Sequence, residues 1–301
     1  MKSIRVAIIG WGNVGRHCKY VLDETADMQL VGVVRRASSL KEVDDDLSDV
    51  KVVSDITKLG KVDVAMVCVP SRLAGDRVAE TLKLGISTVD SFDIHDQIVK
   101  TRKRLNTIAK KNGVVSILGA GWDPGSDSVV RCLMQIVCHH SFTTTTFGGK
   151  KGGRSMGHTA AVKAIEGVRD AVSLTLPNGA GHQKRLVYVE LEPKVDFNTV
   201  AASIRKDDYF KKDPTDIVAV DDVSKYNTLN HGGEVERISE DIIQKYKIEG
   251  INPLMTANVL VASARAAYRA CQANQPGAYT MIERPLVDFV PGTLEEQLKG
   301  Y

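Results

Sequence analysis

Gly10-Trp11-Gly12-Asn13-Val14-Gly15 begins where the apolar run Val6-Ala-Ile-Ile9 ends, and it leads into residues with helical spacing. Strand, glycine turn and helix in that order is the setting in which G-x-G-x-x-G binds a dinucleotide. The first glycine permits the tight turn, the second lets backbone approach a pyrophosphate, and the third allows close helix–strand packing. The helix N-terminus adds unsatisfied N–H groups and the positive end of a dipole. Residues 10–15 are therefore the first cofactor-binding candidates.

Downstream, short β-branched runs at 30–34, 51–53, 62–69, 86–89 and 114–118 alternate with helix-like segments at 14–24, 73–84 and 94–111. Several runs are apolar almost throughout, as parallel strands buried on both faces are. This predicts an α/β fold, a Rossmann-type doubly wound parallel sheet, over residues 1–125. The pattern then changes. Residues 172–176 and 186–191 alternate with period two, further strands are expected at 142–147, 217–220, 234–238 and 245–249, and helices at 156–166 and 197–206. A second α+β domain on a mostly antiparallel sheet follows for 126–252, assigned to substrate binding and oligomerisation. A striped helix at 254–272 and a closing stretch make up 253–301, a segment that could pack back on the first domain.

Composition narrows the partners. Forty Lys plus Arg against 37 Asp plus Glu give +3, which argues for neither nucleic acid nor an anionic membrane. Five cysteines without a Cys-x-x-Cys pair suit a reducing, cytoplasmic setting, and no His/Cys/Asp cluster has metal-ligand spacing. The short apolar run near the N-terminus does not read as a secretory signal. His139-His140 reads as a helix end, where cationic side chains complement the dipole.

The second strand ends Val33-Val-Arg35-Arg36. A carboxylate here would accept from the ribose 2′-OH of NAD, whereas a guanidinium pairs with a 2′-phosphate. The expected cofactor is thus NADP(H), with Arg35 and Arg36 on its phosphate. Ligands in such sheets lie at the carboxyl ends of the strands. Cys68-Val69-Pro70-Ser71, Asp90-Ser91-Phe92-Asp93 and Gly121-Trp122-Asp123-Pro124-Gly125 occupy three later strand ends. They add Cys68, Val69, Pro70, Ser71, Asp90 and Ser91 to the cofactor candidates, and set three carboxylates where an amine could be unloaded.

Together, the glycine turn, the Arg35-Arg36 strand end, Val89-Asp-Ser-Phe-Asp93, Gly121-Trp-Asp-Pro-Gly125 and Met156-Gly157-His158 resemble the meso-diaminopimelate dehydrogenase family over the whole chain. The resemblance implies NADP-dependent oxidative deamination of the D-centre of meso-2,6-diaminopimelate to L-2-amino-6-oxopimelate and ammonia, reversibly, in lysine biosynthesis. It implies that Asp90, Asp93, Trp122 and Asp123 surround the reacting amino group, with Asp123 and Asp90 catalytic. It further implies that Phe147, Met156 and Gly157 contact the substrate, that Thr175, Arg185, His231 and Asn252 hold its distal end, and that the chain is a homodimer or homohexamer. Phe147 is followed by Gly148-Gly149 where many members have a nearby tryptophan, which implies a wider site and acceptance of bulkier 2-oxo acids. The alternatives are another NADPH-linked amine or imine oxidoreductase, and a non-catalytic NADPH sensor that would need no carboxylates at the later strand ends.

Overall fold

The computed structural model describes residues 3–42, 44–147, 152–178, 183–226 and 231–299. In chain order the first stretch comprises β1 (Ile4–Ile9), α1 (Asn13–Asp23), β2 (Met28–Val34), β3 (Val52–Val53), β4 (Val64–Val67), α2 (Ser71–Lys83), β5 (Ser87–Asp90), α3 (Ile98–Lys111), β6 (Val115–Ile117) and α4 (Ser126–Val137). There follow β7 (Thr143–Phe147), β8 (Gly153–Arg154), α5 (Met156–Lys163), β9 (Val168–Pro177), β10 (Gln183–Leu191), α6 (Phe197–Lys206), β11 (Thr215–Ala219), β12 (His231–Ile238) and β13 (Ile243–Gly250). The chain closes with α7 (Asn252–Gln272), β14 (Gly277–Tyr279) and α8 (Leu294–Lys299). It divides into two units, Met1–Val129 with Pro253–Tyr301, and Val130–Asn252.

In the first unit seven strands form one parallel sheet in the order β14-β6-β5-β4-β1-β2-β3. Alternate residues of β1 explain its two covers. Ile4, Val6 and Ile8 pack with Cys18 and Leu22 of α1 and with Leu260, Ala264 and Ala267 of α7. Ala7 and Ile9 face the opposite way, into Val78 and Leu82 of α2 and Leu105 and Ala109 of α3. Strands buried on both faces are apolar throughout, which is why β1 and β4 read as continuous runs. The C-terminal helix thus belongs to the first unit, and β14 extends its sheet beyond β6. Buried Arg265 of α7 anchors this return, donating to both carboxylate oxygens of Asp27 at 2.6 and 2.8 Å and to the Phe289 carbonyl at 2.8 Å.

In the second unit the strands form two sheets rather than the single one expected. One is four-stranded, β11-β10-β9-β8, and the other three-stranded, β13-β12-β7. Pairing is antiparallel except between β10 and β11. Ala171, Val187 and Val189 bury one face of the larger sheet against Val162 of α5 and Val200 and Ile204 of α6. β12 pairs with β7, nearly ninety residues earlier in sequence, so local periodicity carries no sign of this division. His139-His140 follows the last residue of α4 closely, as a helix end should, and a cation that the sequence did not mark joins it there. Buried Arg237 of β12 donates to the carbonyls of Cys138 and His139, while the His139 and His140 rings lie against each other at 3.7 Å.

Among the described residues no helix is long and apolar enough to cross a membrane, and no group of three or more His, Cys, Asp or Glu could hold a metal ion. Arg265→Ala, which strands Asp27 and the Phe289 carbonyl, is expected to lower the unfolding free energy by about 2–4 kcal/mol in urea titrations. Because the Arg265 hydrogen bonds hold Asp27 below the ordinary carboxylate range, their stabilisation fades as pH falls through that range, and the deficit should narrow in acid.

Candidate active site

The glycine turn fixes the carboxyl end of β1. Gly10 has φ +99°, and a Cβ there would lie 2.4 Å from the Cys68 carbonyl oxygen at the end of β4. A Cβ on Gly15 would lie 2.3 Å from the Gly10 carbonyl oxygen, so α1 can approach the turn only without a side chain. Gly12 differs from both. Its backbone is extended (φ −98°, ψ −163°) and nothing lies within 4 Å of its virtual Cβ. Gly12 is also the N-cap of α1, no side chain caps that helix, and its first turn holds no acidic residue. An open backbone surface beside a helix N-terminus fits a pyrophosphate, by the shape and polarity present. Trp11 projects sideways, its Nε1 donating to Asp44 at 2.8 Å.

At the end of β2, Arg35 is largely buried along its stem and pairs with Glu42 at 2.6 Å; Arg36 is exposed. Val69 and Pro70 lead into α2, with Pro70 at its N-cap. Ser71 opens that helix, and its Oγ donates to Asp93 Oδ1 at 2.6 Å while accepting from the Asp93 amide at 3.2 Å. Asp93 therefore joins the end of β5 to the start of α2.

Asp90 is the last residue of β5 and is 1 % exposed. Its Oδ1 accepts from the amides of Phe92 at 2.9 Å and Gly119 at 3.3 Å, and its carbonyl accepts from Ala120 at 2.7 Å. The side chain thus stitches the end of β5 to the loop after β6. Burial raises its carboxyl from 3.8 to about 6, against the two amides, which favour the charged form. In that loop Gly119 (φ +65°) and Gly125 (φ +143°) take conformations that favour glycine, and a Cβ on Gly125 would lie 1.9 Å from the Gly121 oxygen. The Asp123–Pro124 peptide is cis. The loop buries Trp122 to 5 % exposure and leaves neighbouring Asp123 half-buried. Asp90, Asp93 and Asp123 all stand at strand ends of one sheet. Asp90 is buried and held by amides, Asp93 is half-buried and held by Ser71, and Asp123, half-buried too, has no such tie to the scaffold among the described residues.

The second unit carries its own polar cluster. Arg185 of β10 lies opposite Thr175 of β9 in the antiparallel register, and its guanidinium donates to Thr175 Oγ1. The other side of the guanidinium grips Asp213 Oδ2, with Nε at 2.8 Å and a terminal nitrogen at 2.7 Å. Arg185 is 7 % exposed; burial pushes its guanidinium down from the usual value, and Asp213 opposes that. These contacts use three of the five N–H groups of an arginine. Asp213 was not singled out in the sequence, where it is one acidic residue ahead of Pro214 with no spacing to mark it. Met156 and Gly157 form the first turn of α5, which Ser155 ties to β9 through the Ser173 carbonyl at 2.9 Å. Phe147 ends β7 opposite Gly233, His231 begins β12 opposite Gly250, and Asn252 opens α7. The side chain of His231 and the glycine-rich stretch 148–151 lie outside the described residues.

A parallel sheet with this turn, joined to an α+β unit holding a buried guanidinium, defines a two-domain Rossmann oxidoreductase. A family model described as oxidoreductase family, NAD-binding Rossmann fold, matches residues 4–91, and one described as diaminopimelic acid dehydrogenase C-terminal domain matches residues 121–250. The chain is 44 % identical to the meso-diaminopimelate D-dehydrogenase of Bacteroides fragilis over 98 % of each sequence, and 35 % identical to that of Lysinibacillus sphaericus over 95 % of each. Among solved structures it is similar to the C. glutamicum DAP dehydrogenase in complex with DAP (28 % identity, 99 % of both chains, TM-score 0.85). It is likewise similar to an engineered D-amino acid dehydrogenase bound to NADP+ (27 % identity, 99 % of both chains, TM-score 0.88). The chain belongs to the meso-diaminopimelate D-dehydrogenase family.

Between about pH 4 and pH 6 folded Asp90 keeps a proton that the unfolded chain has released, so stability falls as pH rises through that window. Asp90→Asn removes the titration. Relative to the wild type, the variant is expected to gain about 3 kcal/mol of unfolding free energy between pH 4 and pH 8. A difference that stays flat across that range in denaturant titrations would show an ordinary carboxyl.

Proposed function

We propose that this chain oxidises the D-centre of meso-2,6-diaminopimelate with NADP+, giving L-2-amino-6-oxopimelate and ammonia, and runs the reverse amination. The observation that carries this reading is Arg185, a guanidinium buried in the second unit with two N–H groups beyond those given to Thr175 and Asp213. A monocarboxylic amino acid has no distal carboxylate to meet such a group, whereas diaminopimelate does. Gly10, Gly12 and Gly15 would hold the pyrophosphate of NADP+, and Arg35 with Arg36 its 2′-phosphate. Asp213 sets the guanidinium of Arg185, and Thr175 its edge, so that the arginine is fixed before substrate arrives.

At the reacting end the substrate ammonium must first lose a proton, since nitrogen donates its lone pair as the Cα–H bond breaks. Asp123 takes that proton, its loop held in place by Asp90 and walled by the Trp122 indole. Bound NADP+ supplies the hydride acceptor. Water then adds to the imine carbon, and ammonia leaves with its bonding pair as the ketone forms. Asp93 and the first turn of α5, with Met156 and Gly157, contribute to binding the amino acid. The cytoplasm suits five free thiols. Leu133, Ile136 and Val137 of α4 are exposed together with Phe142 and Ile243, an apolar face that a second copy of the chain would cover.

With meso-diaminopimelate and NADP+ at alkaline pH, absorbance of the reduced nicotinamide should rise, while the L,L isomer gives no signal. Asp123→Asn should lose about a hundredfold or more in kcat with NADPH affinity retained. If the variant turns over like the wild type, Asp123 is not the base, and if neither turns over while both bind NADPH, a nucleotide sensor is the better reading. Gly12→Ala should fold normally yet weaken NADPH by about tenfold, whereas Gly15→Ala should destabilise the fold by about 1–3 kcal/mol; calorimetry and fluorescence titration separate the two effects.

A further inference from the structure

The end of β2 presents a carboxylate as well as a guanidinium. Sequence places Arg35 where NAD-binding sheets carry an acidic residue, but the structure returns Glu42 to the same place. Glu42 Oε2 lies 2.6 Å from an Arg35 terminal nitrogen, and the Glu42 carbonyl stands 3.5 Å from the other. The segment bearing Glu42 is tethered to the nucleotide turn. Asp44, two residues on, accepts from Trp11 Nε1 at 2.8 Å and from both terminal nitrogens of Arg16 at 2.5 and 3.1 Å, and Arg16 reaches Asp46 at 2.7 Å. The Arg16 guanidinium also lies 5.2 Å from the Trp11 ring centre, which joins loop, helix and turn in one cluster. The Glu42 side chain is 60 % exposed while that of Arg35 is only 11 % exposed. The arginine is therefore fixed and the glutamate can swing away.

We propose that Glu42 is a specificity-determining residue that competes with the cofactor's 2′-phosphate for Arg35, an inference that rests on the assignment of NADP(H) above. Without nucleotide, Glu42 neutralises Arg35 and fills its outer fork. A 2′-phosphate must displace it and does so because a phosphate makes stronger charge-assisted, bidentate contacts than an exposed carboxylate. A cofactor with a bare 2′-hydroxyl brings no charge to displace Glu42. The competition thus lowers affinity for NADP(H) alone, and discrimination against NAD(H) is smaller than Arg35 by itself would give.

The test measures dissociation constants of NADPH and NADH by quenching of tryptophan fluorescence, without amino acid substrate, in the wild type, Glu42→Gln, Arg35→Met and the double variant. Glu42→Gln is expected to tighten NADPH roughly two- to five-fold, the worth of an exposed ion pair, and to leave NADH within about twofold. In the Arg35→Met background the same substitution should change neither. Unchanged or weaker NADPH binding by Glu42→Gln overturns the proposal. So does equal tightening with and without Arg35, because that is a general effect of removing one negative charge. Binding is read without turnover, so failure of the diaminopimelate assay leaves this result standing, and wild-type protein that binds NADPH no better than NADH overturns the cofactor assignment along with it.

Discussion

Everything at the nucleotide end of this molecule follows from how closely three backbone segments meet at the carboxyl end of β1. The Cys68 carbonyl stands against Gly10, and the Gly10 carbonyl against Gly15, at separations that exclude a methyl group. That crowding lets α1 start almost on top of β1 and aims its unsatisfied N–H groups across Gly12, the one glycine of the three with open space above it. The neighbouring strand ends, at β4, β5 and β6, are then set beside the turn by the parallel register of the sheet. Asp90 continues the same theme one strand further out, with a carboxylate spent on amides so that the glycine loop after β6 has one shape.

Two of the arginines proposed to recognise anions, Arg185 and Arg35, are matched with a carboxylate in the structure, and their surroundings give the two pairs different consequences. Arg185 is buried and Asp213 mostly covered, so losing the carboxylate would leave a desolvated, uncompensated guanidinium, and the pair fixes geometry. In the Arg35–Glu42 pair the guanidinium is largely covered but the carboxylate lies at the surface, where water screens the attraction and a stronger anion can replace it. One pair orients a binding group and the other tempers it.

Much of the first unit could be read directly from residue patterns. Val6-Ala-Ile-Ile9 is apolar on consecutive positions because both faces of β1 are covered, and α3 and α6 follow from stripes at helical spacing. The glycine turn was legible because its chemistry is local to six residues. By contrast, α4 was legible only at its end, where His139-His140 reads as a helix terminus, and β8 and β14 escaped notice. The last two have two and three residues, too short to show a period, and β14 owes its existence to the edge that β6 offers. The family resemblance placed Thr175 and Arg185 in the site, but their contact required the β9–β10 register, which aligns the two positions across the ladder.

The order of residues thus determined the sheet type of the first unit, the phosphate-cradling turn and the carboxylates at the strand ends, since each depends on neighbours a few positions apart. Tertiary structure alone decided which carboxylate is spent and which is open. Asp90, Asp93 and Asp123 are chemically alike in sequence, yet burial and amide donors hold the first, a serine hydroxyl holds the second, and the third is left half-exposed. It also brought Glu42 to Arg35 and Asp213 to Arg185, because partners separated by 7 and 28 positions meet only after the sheets have formed.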